Sequence, residues 1–330
     1  MIIIYMPDRH SRNKWRDTSV YSCAHYSFDV LSSMGSIAKQ LQSDEHGMKL
    51  ELKQDKHLIL NFLGEGHGPD EIKNLVIYLQ KFLPLENIKV LFNSYTDSTP
   101  GYVYRCFTEN MVNHYGYFDH IDQASGNPQL INLDYKFLSM NRRTSNIRTR
   151  LIDKLSNKIS IRYSLNSNES PHTGKVLLDG LIDQEKQKNN SDIIFRTCLF
   201  NIINESSDQS TPNLYRSIFL TEKTFKAFAL RQIPIWMAVP GLVDKVRNLG
   251  FDLFDDLCQN HYYDNTSFED LRCQQVAEMC LSLDKKFTVD QCQQIRSGIW
   301  HRLENNYKLL KKYIGLHQQT LDNHFYFLNQ

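Results

Sequence analysis

The fold is read from Leu58-Ile59-Leu60-Asn61-Phe62-Leu63-Gly64-Glu65-Gly66-His67-Gly68-Pro69-Asp70. Leu58–Phe62 is a short apolar run of strand length. It passes into turn chemistry, with glycines at 64, 66 and 68 and a proline at 69. Asp70 can then open a helix, because Ile72, Leu75, Val76, Leu79, Phe82 and Leu83 recur at helical spacing. Pro84 ends that pattern, and Ile88–Phe92 reads as a second strand. A strand, a helix and a strand with short connections predict a parallel pair joined by a right-handed crossover.

The same grammar runs through the second half. Tyr135–Met140 reads as a strand, Ser145 to Leu155 as a helix, and Ile159–Tyr163 as the next strand. A further strand lies within Ile193–Ile203. Thr221 is an N-cap candidate, with Leu220 and Phe225 placed as a hydrophobic staple. Ile233–Met237 has the composition of a buried strand. Leu242, Val243, Val246 and Leu249 share one face of a helix that Gly250 stops. Ile295, Ile299, Leu303, Tyr307, Leu310 and Ile314 stripe one long C-terminal helix. Strands alternating with helices in both halves point to an α/β protein with parallel sheets. Gly126-Asn127-Pro128 marks the break, giving domains at 1–130 and 131–330. The polar stretches Asn166–Gly174, Gln184–Asp192 and Glu205–Asn213 read as loops.

Composition narrows the function classes. The 330 residues are 41% hydrophobic and 23% charged, which excludes a disordered or collagen-like chain. Net charge is +1, from 38 Lys+Arg against 37 Asp+Glu, so the basic excess of a duplex-wrapping protein is missing and nucleic acid is disfavoured as a partner. The longest nearly unbroken apolar stretch, Ile233 to Val243, is far short of a bilayer span of roughly 20 residues. The N-terminal MIIIYMPDRHSR has no basic leader before its apolar run and reads as a first strand, not a signal peptide. The 7 cysteines are scattered, with no CxxC pair, and read as reduced thiols of a cytoplasmic protein. No zinc pattern, no Asp-x-Asp pair, no P-loop and no GxGxxG occurs, so no metal or resident cofactor is expected.

Three clusters lie where a parallel strand ends and a helix begins, the usual ligand edge of such sheets. Asn141-Arg142-Arg143-Thr144-Ser145-Asn146-Ile147-Arg148 combines arginines with a helix N-terminus, which suits a phosphate and equally suits a solvated basic helix start. Thr221-Glu222-Lys223 places a carboxylate and an ammonium on a first helical turn. Glu222 can accept two ribose hydroxyls and Lys223 can pair with phosphate, or the charges can serve the helix alone. Gly64-Glu65-Gly66-His67-Gly68 allows close backbone approach, with Glu65 or His67 as a general base, or forms a tight polar loop.

Phe219–Ile235, running Phe-Leu-Thr-Glu-Lys-Thr-Phe-Lys through Gln232-Ile233-Pro234-Ile235, resembles the donor-binding segment of the α-1,3-fucosyltransferase family. Ser139–Ser156, with Ile147-Arg148, resembles an upstream segment of the same family, in matching order and spacing. Met140–Arg143, Thr221–Thr224, Pro240–Phe251 and Glu304-Asn305-Asn306 are also similar to glycosyltransferase-like proteins of phages and marine bacteria, over about 135–315. The resemblance implies a GT-B-like fold, with two Rossmann-like domains and a cleft between them. It implies a glycosyltransferase that moves a sugar from a nucleotide-sugar donor, such as a GDP-linked one, to a glycan or other hydroxyl acceptor. Arg148 would hold the diphosphate, Glu222 the ribose or sugar hydroxyls, and Lys223 the phosphate. Gly64-Glu65 is similar to the family's Gly-Glu pair in the N-terminal domain. Two departures stand out. Asn204-Glu205 occupies the place of a family Glu-Asn pair, and Leu230-Arg231-Gln232 that of a small, glycine-containing turn. No guanine pocket is carried over.

An inverting transfer needs a base for the acceptor hydroxyl and a cationic cradle for the departing diphosphate. Glu65 or His67 is the candidate base. Arg142, Arg143, Arg148, Lys223 and the helix start at Thr221, beside Asn141, form the candidate cradle, and no metal is then required. Two other readings use the same donor site: a non-catalytic GT-B-like structural or binding protein, and a phage-type enzyme that glycosylates modified DNA bases.

Overall fold

A computed structural model describes residues 2–5, 25–26, 57–62, 73, 76–77, 80, 84–92, 94–95, 103–105, 129, 131–141, 145–165, 196–205, 218–220 and 222–327. The chain divides into two compact units. One comprises Met1–Asn110, Asp208–Leu220 and Leu316–Gln330, the other Met111–Ser207 and Thr221–Gly315.

In the first unit the strands are β1 (Ile2–Tyr5), β2 (His25–Tyr26), β3 (His57–Phe62), β4 (Ile88–Phe92), β5 (Ser94–Tyr95) and β6 (Val103–Arg105). Five of them form a parallel sheet in the order β2-β1-β3-β4-β6. The expected pair β3 and β4 is parallel, with Leu58 opposite Ile88. Of the helix expected after Asp70, Lys73, Val76 and Ile77 are described and helical, and Val76 is buried while Lys73 faces water.

The second unit holds a parallel four-stranded sheet. Its elements are β7 (Tyr135–Asn141), α1 (Asn146–Leu155), β8 (Ile161–Leu165) and β9 (Cys198–Asn204). The chain then passes through the two-residue β10 (Ile218–Phe219), which belongs to the first unit and pairs there antiparallel with β5, before α2 (Glu222–Ala229) and β11 (Ile233–Met237) of the second. The sheet order is β11-β9-β7-β8. Every residue of β9 and β11 is buried, as parallel strands covered on both faces require. The observed class is therefore α/β with parallel sheets in both units.

Local sequence explains the helices that flank this sheet. Ser145 caps α1 by accepting the Arg148 N–H at 3.4 Å, and Ile147, Leu151, Ile152 and Leu155 bury one face. From α2, Phe225 and Phe228 enter an aromatic cluster in which Phe228 stacks on Phe251 at 4.4 Å and meets Trp236 edge-on at 6.0 Å. The Trp236 indole donates to the Thr224 carbonyl at 3.2 Å, tying β11 to α2. Arg231 stands in the turn between them with φ 55, the left-handed backbone that a glycine would take without penalty. Its guanidinium lies 3.6 Å over the Tyr307 ring and bonds Glu304 at 2.9 Å, which holds the turn in that conformation.

Beyond β11 lie α3 (Leu242–Asn248), α4 (His261–Asp264), α5 (Glu269–Lys286), α6 (Val289–Gly298) and α7 (Trp300–Phe327). Leu242, Val243 and Val246 bury α3, and Gly250 follows it with φ 89, as the sequence suggests. Two expectations are corrected. The strand placed at Ile159–Tyr163 runs Ile161–Leu165, because the Ser160 N–H is taken by Asp284 of α5 at 3.1 Å and pairing with β7 begins at Ile161. The single C-terminal helix is two helices, broken at Ile299 (φ −98) just after Gly298. The apolar stripe crosses the break without losing phase, with Leu303, Tyr307 and Leu310 buried.

The α7 helix clasps the segment after α3. Arg302 binds Asp252 at 2.6 Å and Asp256 at 2.8 Å, and Asn306 both accepts from the Asp252 N–H (2.8 Å) and donates to its carbonyl (2.7 Å). Asp264 caps α3, accepting from the Val243 and Asp244 amides at 3.1 Å each. Burial raises its carboxyl above the usual range. The described cysteines, Cys198, Cys258, Cys273, Cys280 and Cys292, are free and buried. Among the described residues no helix is long and apolar enough to cross a membrane. Gly126-Asn127-Pro128 lies outside the described residues.

Candidate functional site at the carboxyl end of the second sheet

The strand order points to where a candidate site lies. The chain leaves β7 through α1 toward β8 on one side, while β9 is followed toward β11 on the other. Connections that diverge in this way leave a crevice beyond the carboxyl ends of the two strands, the usual ligand position in an open parallel sheet. The residues at those ends are polar in an otherwise apolar layer. Ser139 and Asn141 share one face of β7 by the alternation of a strand, and Asn204-Glu205 closes β9. All four are buried.

They are joined. The Asn204 amide donates to Ser139 Oγ at 3.2 Å and to Asn141 Oδ1 at 3.0 Å, and the Asn141 amide donates to Ser139 Oγ at 3.3 Å. Arg148 enters from the first turn of α1. It is 6% exposed, and its Nη2 donates to the Asn204 carbonyl at 3.2 Å. On the other side the Thr224 hydroxyl donates to the Glu205 carboxylate, and the Glu205 N–H bonds the Met237 carbonyl at 3.0 Å. Thr224 lies in the first turn of α2, so Glu205 ties the start of that helix to the end of β9. Glu222 and Lys223 open the same turn, with Lys223 half-buried.

The structure thus brings the expected Asn141 and Arg148 together, and the first turn of α2 is anchored to the same strand end. Arg142, Arg143, Thr221, Glu65 and His67 lie outside the described residues. Glu65 and His67 follow β3, which adjoins β1 where the order of the first sheet reverses. Ser139, Asn204, Glu205 and Thr224 are additions. One signal could have pointed to two of them: the apolar run of β9 ends in Asn-Glu as β7 ends in Met-Asn, in a second strand of the same sheet. Glu205 instead reads as the start of a polar loop.

Chemically the arrangement offers a guanidinium held near a strand end, a helix start at Ser145 and a carboxylate beside the start of α2. These are means of holding an anion and hydroxyls. Among the described residues no group of three His, Cys, Asp or Glu is placed to hold a metal ion. The chain matches no family model, no curated protein and no solved structure.

Proposed function

We propose that the protein is a glycosyltransferase that uses a nucleotide-sugar donor and a hydroxyl acceptor, with the donor diphosphate at the carboxyl end of the second sheet. The observation that carries this reading is Arg148, buried at the point where the strand order reverses and bonded to the end of β9. A buried cation there is matched to a departing diphosphate. The resemblance to α-1,3-fucosyltransferases supports the same assignment, with Glu222 toward donor hydroxyls and Lys223 toward phosphate. In the transfer the acceptor oxygen bonds to the anomeric carbon, the bond from that carbon to the diphosphate breaks, and the acceptor proton passes to a base. Glu65 and His67 are the candidates for that base. Arg148 and Lys223 take up the charge on the leaving group, so the reaction as drawn calls for no metal. A cytoplasmic setting with a soluble donor fits this chemistry.

The test is release of nucleoside diphosphate from GDP-, UDP-, CDP- and ADP-sugars by the full chain with a panel of glycan acceptors. One donor should be consumed, and Arg148→Ala should lower kcat/KM by at least a hundredfold, about 2.7 kcal/mol of transition-state stabilisation. Binding of a donor without turnover under any acceptor would favour the binding-protein reading. Binding of none would remove the donor site.

A further inference from the structure

Asn204 has a hydrogen-bonding valence that the described residues leave unused. Its amide nitrogen spends both protons, on Ser139 Oγ and Asn141 Oδ1. Its main-chain carbonyl receives Arg148. Its side-chain Oδ1 has no partner among the described residues, although the residue is only 3% exposed. Among the described residues no other side-chain oxygen is so placed. Turning the Asn204 amide alone would set its Oδ1 against Asn141 Oδ1. Buried acceptors are nearly always satisfied, so one that is not calls for a donor brought from outside the chain.

The neighbours define that donor. Arg148, bonded to the same residue, favours an anion. A ligand that satisfies both groups presents a hydroxyl within short reach of a phosphate, as the sugar portion of a nucleotide sugar does. A base N–H is separated from the diphosphate by the ribose. We propose that Asn204 Oδ1 accepts a sugar hydroxyl of the bound ligand while Arg148 holds its diphosphate, and that Asn204 thereby selects hydroxylated over deoxy ligands. This rests on the functional reading above. The hydroxyl belongs either to the ribose or to the transferred sugar, and the chemistry at Oδ1 is the same for both.

The experiment is calorimetric titration of the full chain. One arm compares GDP, UDP, CDP and ADP with their 2′-deoxy and 3′-deoxy forms, and the other compares UDP-glucose and GDP-mannose with their 2-deoxy-hexose counterparts. One deoxy ligand should bind about ten- to hundredfold more weakly than its parent, and the arm in which it falls names the sugar. Asn204→Leu should bind parent and deoxy ligand alike. Asn204→Asp, which keeps the acceptor, should still discriminate. The wild-type comparison needs no variant to fold. Parent binding that depends on Arg148, with no deoxy ligand weakened, overturns the inference and leaves Oδ1 to an ordered water only, while the functional reading stands. Binding of no parent ligand ends the functional reading and this inference together.

Discussion

The two ends of the second sheet are both polar and both buried, yet they are wired differently. At the amino end the side chains reach into backbone and neighbouring helices. Gln232 donates to the Cys198 carbonyl at 3.0 Å and accepts from Asn201 at 2.8 Å, and Arg296 of α6 donates to the Ile131 carbonyl at 3.0 Å. Lys136 pairs with Asp284 of α5 at 2.9 Å. Arg231 is locked by Glu304 and Tyr307 of α7. Burial, with Arg196 and Arg231 close by, pushes the Arg296 guanidinium down to about 10. At the carboxyl end Ser139, Asn141 and Asn204 bond one another, and Asn204 Oδ1 is a buried side-chain oxygen that no described residue fills. The first end holds helices on the sheet, and the second carries the acceptor that the proposal above assigns to a ligand. Buried polarity alone does not mark a site; the carboxyl end differs in its unfilled acceptor oxygen and in its place at the reversal of strand order.

That contrast sets a graded series of tests. The largest effect is expected at the amino end. Arg231→Ala should lower stability by about 3 kcal/mol in urea unfolding, by removing one partner of a largely buried ion pair and a stacked cation. Arg231→Gly should recover about 1 kcal/mol of this, because glycine takes the left-handed backbone freely. Neither should change nucleotide affinity, and a loss of affinity in both would dissolve the distinction between the ends. Next, Thr224→Val removes the hydroxyl that Glu205 accepts. It should cost about 1–2 kcal/mol of stability and weaken nucleotide binding severalfold, both restored by Thr224→Ser. A stability cost with affinity intact would make the carboxyl end structural as well.

The smallest effect lies outside both ends. Arg302 bonds Asp256 and holds its carboxyl below the usual range. A depressed folded-state value means that the stability from this pair is present above the unfolded carboxyl value and lost as pH falls through the folded one. Asp256 is 58% exposed, so the contribution after solvent screening is a few tenths of a kcal/mol. Asp256→Asn should flatten that part of the acid limb below about pH 4 in unfolding experiments, and leave the neutral-pH ligand affinity untouched.

Strand and helix types in the second unit were legible because their patterns are local. Tyr135–Met140, Ser145–Leu155 and Ile233–Met237 carry their own periods and caps, and each forms within a residue or so of its expected place. The start of β8 was not legible, since Asp284, far along the chain, takes the Ser160 amide. Helix α5 was missed because its buried face mixes Arg272 with Cys273, Ala277 and Cys280, which gives a weak apolar signal. At the site, Arg148 and Asn141 were visible as strand-end chemistry. Asn204 and Glu205 were not, because a polar pair after a strand reads alike whether it enters a loop or a buried network. The turn at Leu230-Arg231-Gln232 became intelligible only with the backbone: Arg231 takes a left-handed conformation and is fastened there by Glu304.

The most direct measurement is a thermal-shift titration of the full chain with GDP, UDP, CDP and ADP, run in parallel on wild type, Arg148→Ala and Arg231→Gly. A ligand at a hundred times its Kd should add about 2.7 kcal/mol to the folded state. The account predicts a shift with one diphosphate that is lost in Arg148→Ala and kept in Arg231→Gly, despite the lower starting Tm of the latter. A shift that survives Arg148→Ala, or no shift with any of them, would contradict it.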